Sequence, residues 1–95
     1  MKVTNMKNDN GKSIPNQFII TDNETTPRVE IFQSYESKIV KIEWFDYDTK
    51  KVFLDERYWD YSNTTSKYRN KFLKETTKEI EAKINNGTYI LTNLN

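Results

Sequence analysis

Apolar and polar residues alternate along the first half of the chain in the way that is typical of half-buried β-strands. In Lys38–Phe45, apolar Val40, Ile42 and Trp44 occupy every second position, and the residues between them are charged. The segment Arg28–Tyr35 shows the same period of two. Because only two residues separate these runs, we predict two adjacent antiparallel strands joined by a short turn.

Three further strands are predicted, two before this pair and one after it. Met1–Lys7 and Ile14–Thr21 flank an Asn-Gly dipeptide at 10–11, which is typical of a hairpin turn because both residues tolerate a positive φ. Pro15 has no N–H to donate, so the second strand should begin at an edge or a bulge. Val52–Leu54 is a fifth, short strand. Since every connection is short, an antiparallel meander is the economical arrangement.

Beyond residue 55 the spacing of the apolar residues changes from that of strands to that of helices. A first helix ending near Glu75 is predicted by four residues at i, i+4, i+7 and i+11, which lie on one helical stripe: Tyr61, Thr65, Tyr68 and Phe72. Asp60 and Ser62 are both suitable N-caps, since either side chain can accept a hydrogen bond from a first-turn amide.

A second helix and a final strand complete the predicted fold. Thr76 and Glu79 have the spacing of a capping box, Ile80 and Ile84 share one face, and Asn86-Gly87 is a good helix terminator. A short strand follows at 88–91. We therefore predict one α+β domain over residues 1–95, in the order βββββααβ. It has an antiparallel meander of about five or six strands with two helices on one face.

The composition excludes several kinds of chemistry. The chain contains neither cysteine nor histidine, so disulfides, thiolate metal sites and the commonest general base are absent. We predict that the protein is not an enzyme and has neither a catalytic nor a metal site, and no cofactor. The first residues form no apolar leader, and no apolar run is long enough to cross a membrane, so a cytoplasmic protein with no membrane partner is expected.

The net charge of +1 is distributed unevenly along the chain. Residues 22–60 carry ten acids against six bases, whereas residues 61–95 carry six bases against three acids. This balance argues against strong, sequence-independent binding of nucleic acid, which needs basic residues that nearby acids do not cancel.

Four acids form one candidate partner-binding surface. Asp46, Asp48, Asp55 and Glu56 lie in or beside predicted turns, where they could imitate a phosphate backbone toward a basic partner. Their spacing does not match a calcium-binding loop, because the central glycine and the terminal glutamate are missing. The simpler interpretation is that they are ordinary turn acids on a charged surface.

A second set of residues suggests an alternative, nucleic-acid-binding surface. Tyr58 and Trp59 could stack on bases, while Lys67, Arg69 and Lys71 on the first helix could contact phosphates. The simpler interpretation is that the aromatic residues pack the helix against the sheet and the basic residues form a solvated face.

Three strings of residues carry a resemblance to a known group of proteins. They are Ile14–Ile20 (IPNQFII), Phe32–Tyr35 (FQSY) and Trp59–Asn70 (WDYSNTTSKYRN). With them the chain resembles a family of small uncharacterised proteins, a domain of unknown function, from bacteriophages and mobile elements. The resemblance covers nearly the whole chain but brings no established activity or site.

The origin of the similar proteins in bacteriophages and mobile elements implies a function. Short phage-encoded domains often act by stoichiometric binding, and inhibitors of host defence such as anti-CRISPR proteins are a prominent class. We therefore expect an inhibitor that binds a host defence protein, such as a CRISPR effector, in the bacterial cytoplasm. The alternatives are an accessory protein that binds nucleic acid or a nucleotide through the first helix, and a homo-oligomer with no foreign ligand.

Overall fold

Six strands form one sheet in which their order in space follows their order along the chain. A computed structural model describes all residues, 1–95. It has the predicted order, with these elements: β1 (Lys2–Lys7), β2 (Ser13–Asp22), β3 (Arg28–Ser34), β4 (Ser37–Trp44), β5 (Lys50–Asp55), α1 (Asn63–Leu73), α2 (Thr77–Asn85) and β6 (Tyr89–Thr92). The α+β fold class predicted from the sequence is therefore confirmed.

The last strand differs from the rest in its direction. Strands β1 to β5 pair antiparallel, whereas β6 lies parallel to β5. A parallel neighbour needs a long crossover, and α1 and α2 supply it by returning the chain to the end of the sheet where β5 begins. The sheet is thus a five-stranded meander with one parallel edge strand.

The core lies between one face of the sheet and the two helices. Phe32 of β3 stands opposite Val40 of β4, and its ring stacks on Phe72 of α1 with 5.8 Å between the ring centres. Ile80 of α2 is fully buried in the same core. Tyr68, Phe72 and Ile84 pack against it while partly exposed, so the predicted packing of the helices is confirmed; Tyr61, in contrast, precedes α1 and is half-exposed.

A β-bulge in β4 breaks the predicted alternation. The register between β3 and β4 shifts after Phe32, because Phe32 pairs with Val40 and Gln33 pairs with Lys38. Ile39 is the extra residue, and it is buried together with its neighbour Val40. Two consecutive side chains therefore enter the interior, which a strict period of two does not allow.

The helix ends follow from local hydrogen bonds. Ser62 is the N-cap of α1, and its hydroxyl accepts from the N–H of Thr65 at 3.1 Å. The capping box of Thr76 and Glu79 at α2 is present as predicted, and Gly87 has a φ of 82° just beyond the last turn. α1 ends at Leu73, two residues before the expected position, since the next residue adopts a left-handed conformation.

The first hairpin has a longer turn than the Asn-Gly pair predicts. Lys7 pairs with Ser13, which leaves a five-residue loop. The side chain of Asn8 accepts from the N–H groups of Asn10 and Lys12 at 2.9 and 3.0 Å and so holds this loop.

Neither helix has the length and apolar composition that crossing a bilayer requires.

Candidate functional site

The four acids of the predicted acidic surface lie at opposite ends of β5. Asp46 and Asp48 are in the β4–β5 loop, Phe45–Thr49, before β5 begins, whereas Asp55 and Glu56 stand at its end. Six residues at about 3.3 Å each place the two pairs roughly 17–20 Å apart. The acids therefore do not form one continuous patch.

Asp55 is a structural residue and does not belong to an acidic surface. Its side chain is 1% exposed, and its carboxylate accepts from the N–H groups of Arg57, Tyr58 and Leu94 and from the amide of Asn95, at 2.8–3.1 Å. Burial alone would raise the pKa of Asp55, but these hydrogen bonds outweigh it and lower the pKa below its usual value. The assignment of Asp55 to a partner-binding surface is thus wrong.

Asp46, in contrast, organises an exposed loop. Its Oδ1 atom accepts from the N–H groups of Asp48 at 2.9 Å and of Thr49 at 2.7 Å. These hydrogen bonds lower the pKa of Asp46, so the carboxylate stays charged at neutral pH. The β4–β5 loop is therefore held in one conformation by its own acid, and both aspartates remain exposed.

Aromatic residues flank these two aspartates and border the largest cleft on the molecule. Tyr47 is 98% exposed and Phe45 is 49% exposed. With Trp44, Asp46 and the facing β2–β3 loop, they line a cleft of about 510 Å³ that also includes Pro27 and Arg28. The cleft does not follow from the sequence pattern, although the run Trp44–Tyr47 places three aromatics beside a turn.

Trp44 is the fixed wall of the cleft. Its indole Nε1 donates to Glu30 at 2.7 Å, and the same carboxylate lies 3.6 Å from the guanidinium of Arg28. Arg28 and Lys50 also lie 5.4 and 5.0 Å from the centre of the indole ring, within the range of cation–π attraction. Trp44 is therefore anchored, whereas Tyr47 is almost fully exposed and Phe45 is half-exposed, with the ammonium group of Lys51 6.0 Å from the centre of its ring.

Arg69, a residue of the alternative nucleic-acid surface, lies inside the fold. It is 0% exposed; its guanidinium donates to the carbonyl of Trp59, to Asp60 at 3.2 Å, and to Asn70 and Thr77 at 2.9 Å each. The guanidinium also lies 5.2 Å from the ring of Trp59. The assignment of Arg69 to a phosphate-binding surface is wrong, because its guanidinium is buried and its hydrogen bonds join α1 to the segments before and after it.

The other residues of that set are only partly available. Lys71 donates to the carbonyl of Lys7 at 2.6 Å and lies 3.7 Å from Asp9, so its charge is directed toward the first hairpin. Lys67 is exposed.

Tyr58 and Trp59 are half-buried against the core. Tyr58 packs edge-to-face on Tyr61, with 5.4 Å between the ring centres, and the guanidinium of Arg69 lies 5.2 Å from the ring of Trp59, so both aromatics make contacts within the fold at the entrance of α1. No group of three or more carboxylates gathers where it could hold a metal ion.

Comparison with known proteins identifies a family but no activity. A family model described as a family of unknown function (DUF8033) matches residues 1–87, which leaves only the last strand and the tail outside the match. No curated protein and no solved structure matches the chain. Because the match spans nearly the whole fold, the chain belongs to this family of unknown function.

Proposed function

We propose that the protein acts without turnover, by stoichiometric binding of another protein, and that the β4–β5 loop is its main contact. The carrying observation is the exposure of Tyr47 and Phe45 on a loop that its own aspartate holds in place. Exposed aromatic side chains next to a cleft are typical of binding hot spots, since each covers a large area on contact.

The rigidity of the loop supports this assignment. A loop that is already ordered loses little conformational entropy when it binds, so more of the contact energy appears as affinity. Asp46 fixes the backbone from Asp46 to Thr49, and Trp44 is anchored by Glu30 at the base of the loop. The aromatic side chains are thus presented on a prearranged support.

The charge of the loop indicates the kind of partner. Asp46 and Asp48 are both exposed at the tip of the loop, so a basic surface such as one that binds nucleic acid would complement the tip, provided that it avoids the exposed Lys50 and Lys51 at the start of β5. Together with the resemblance to phage and mobile-element proteins, this favours an inhibitor of a host defence protein, for example a CRISPR effector.

Phage plaquing tests this function. The wild-type chain, expressed in a host with an active CRISPR–Cas system, should raise the plaquing efficiency of a targeted phage. Tyr47→Ala should abolish the gain, because loss of a hot spot lowers affinity about tenfold or more. Tyr61→Ala is the matched control, since Tyr61 is half-exposed but lies elsewhere. Equal plaquing with and without the wild-type protein, across hosts with different CRISPR–Cas systems, would reject the proposed target class.

The alternative, binding of nucleic acid through α1, has less support from the structure. Arg69 is buried and Lys71 is directed toward the first hairpin, which leaves Lys67, whose ammonium group lies 5.3 Å from the centre of the Tyr68 ring, as the remaining exposed cation of the set. A fluorescence anisotropy titration with single-stranded DNA measures this directly, and Lys67→Glu would remove binding if the alternative held.

A further inference from the structure

The base of the cleft beside the β4–β5 loop carries a positive charge. Arg28 stands directly opposite Trp44, with its guanidinium 5.4 Å from the centre of the indole ring, and Lys50 stands opposite Trp44 on the other side. Glu30 is the ion-pair partner of Arg28, but 3.6 Å is too long for a hydrogen bond. The guanidinium is therefore held in place while its N–H groups remain available to a further carboxylate.

The opposite end of the cleft is negative. Arg28 and Asp46 are the two charged residues that line the cleft. The Oδ1 atom of Asp46 accepts from two N–H groups of the loop, whereas its Oδ2 atom accepts from none. Since Asp46 is two residues beyond Trp44, which Arg28 faces, roughly 7 Å of backbone separates the two charged positions.

The walls between the two charges are mainly apolar. Pro27 lies on the side of the β2–β3 loop, and Trp44, Phe45 and Tyr47 lie on the side of the β4–β5 loop. The volume of about 510 Å³ falls within the range of roughly 300–1,000 Å³ that is usual for small-molecule sites. Apolar walls with a few placed polar groups are also typical of such sites.

This arrangement specifies the chemistry of a ligand. A simple anion would pair with Arg28 and be repelled by Asp46, and a simple cation would meet the reverse. A molecule with both charges satisfies both ends. In an α-amino acid the ammonium nitrogen and a carboxylate oxygen are roughly 3 Å apart, so with a hydrogen bond of about 2.8 Å at each end it spans roughly 8–9 Å. That span is comparable to the separation of the two charged positions.

We propose that the cleft binds a free amino acid as its zwitterion. Arg28 binds the carboxylate, Asp46 binds the ammonium group, and a large apolar side chain lies against Pro27 and Tyr47. A residue inside a polypeptide lacks both charges, so the site selects a free amino acid over a peptide segment. The proposal does not rest on the function proposed above, and its test needs no protein partner.

Nuclear magnetic resonance of the isotope-labelled full chain tests the site with L-phenylalanine as the probe. The amide signals of 25–28 and 44–47 should shift, with a Kd of about 1 mM or tighter, as is usual for a ligand of this size. Phenylalaninamide has no carboxylate and N-acetylphenylalanine has no ammonium group, so each should bind at least about tenfold more weakly. N-acetylphenylalaninamide, which imitates a residue inside a polypeptide, should cause no shifts.

Two variants assign the two charges. Arg28→Gln should weaken phenylalanine at least about tenfold and leave the weaker binding of phenylalaninamide unchanged, since that analogue has no carboxylate to lose. Asp46→Asn keeps an Oδ1 acceptor for the loop; it should weaken phenylalanine similarly and leave N-acetylphenylalanine unchanged. Arg57→Gln and Glu56→Gln are the matched controls, because both residues are exposed beyond the other end of β5.

Two results would overturn the proposal. One is the absence of shifts in the wild-type protein at about 10 mM phenylalanine. The other is equal binding of phenylalanine and N-acetylphenylalaninamide, which would show that the cleft takes a side chain from a polypeptide. Loss of binding in either control variant would likewise place the ligand outside this cleft.

Discussion

The entrance of α1 and the β4–β5 loop both combine aromatic with charged residues, and the fold uses them in opposite ways. At the entrance of α1, Arg69 is buried under Trp59 and bonded to Asp60. In the loop, Tyr47 is almost completely exposed and Asp46 bonds only to the loop itself. The residues at the entrance of α1 therefore hold the fold together, whereas those of the β4–β5 loop form an exposed surface.

This difference changes the meaning of the string that marks the resemblance. Within Trp59–Asn70, Ser62 caps α1, Asp60 accepts from Ser66 and from Arg69, and Arg69 reaches the first turn of α2. These residues fix how α1 joins the segment before it and the start of α2. The string is therefore explained by folding, and a search for the binding surface is better directed at the loop.

The largest expected effect is a loss of unfolding free energy when Arg69 is replaced. Arg69→Ala removes a buried side chain and leaves the carbonyl of Trp59 without its donor, so we expect a loss of about 3–5 kcal/mol of unfolding free energy. Urea denaturation measures it. Lys67→Ala, on the exposed side of the same helix, is the control and should change stability by less than about 0.5 kcal/mol.

An intermediate effect is expected at Asp55, with a defined dependence on pH. The pKa of Asp55 is lower in the folded protein, so its carboxylate stabilises the fold above the unfolded pKa near 3.8, and that stability is lost as pH falls through the folded value. Asp55→Asn should cost about 1.5–3 kcal/mol at pH 7 and flatten the loss of stability in acid. Equal acid sensitivity of the two proteins would contradict this role.

The smallest expected effect on stability is at Tyr47. Because Tyr47 is 98% exposed, Tyr47→Ala should change the unfolding free energy by less than about 0.5 kcal/mol, although it removes the proposed contact. Thermal unfolding of the variant beside the wild type measures this. A loss above 1.5 kcal/mol would show that Tyr47 supports the loop rather than a partner.

Local patterns predicted much of the fold, since they depend on neighbours along the chain. The alternation in β4, the helical stripe ending at Phe72 and the capping box at Thr76 are all short-range signals, and the structure contains each element. The bulge at Ile39 was missed because a period of two describes a regular strand and gives no position for an extra residue.

The predictions from the sequence failed mainly for charged residues, since whether such a residue is buried depends on distant partners. Asp55 is held by the N–H of Leu94, 39 positions later, and nothing in its own segment indicates that contact. Arg69 is enclosed by Trp59 on one side and Thr77 on the other. A charge in a turn or on a helix usually stays in solvent, so pattern alone assigned both residues to a surface.

The parallel strand β6 also has a consequence for the order in which the chain can fold during synthesis. A ribosome delivers residues from the N-terminus, so the meander β1–β5 emerges first, and the outer edge of β5 has no partner until Tyr89–Thr92 follow. In that interval the nascent chain exposes an unpaired strand edge, which is a template for joining a neighbouring chain. Lys50 and Lys51, at the start of β5, place positive charge on that edge and so counter such pairing while synthesis is completed.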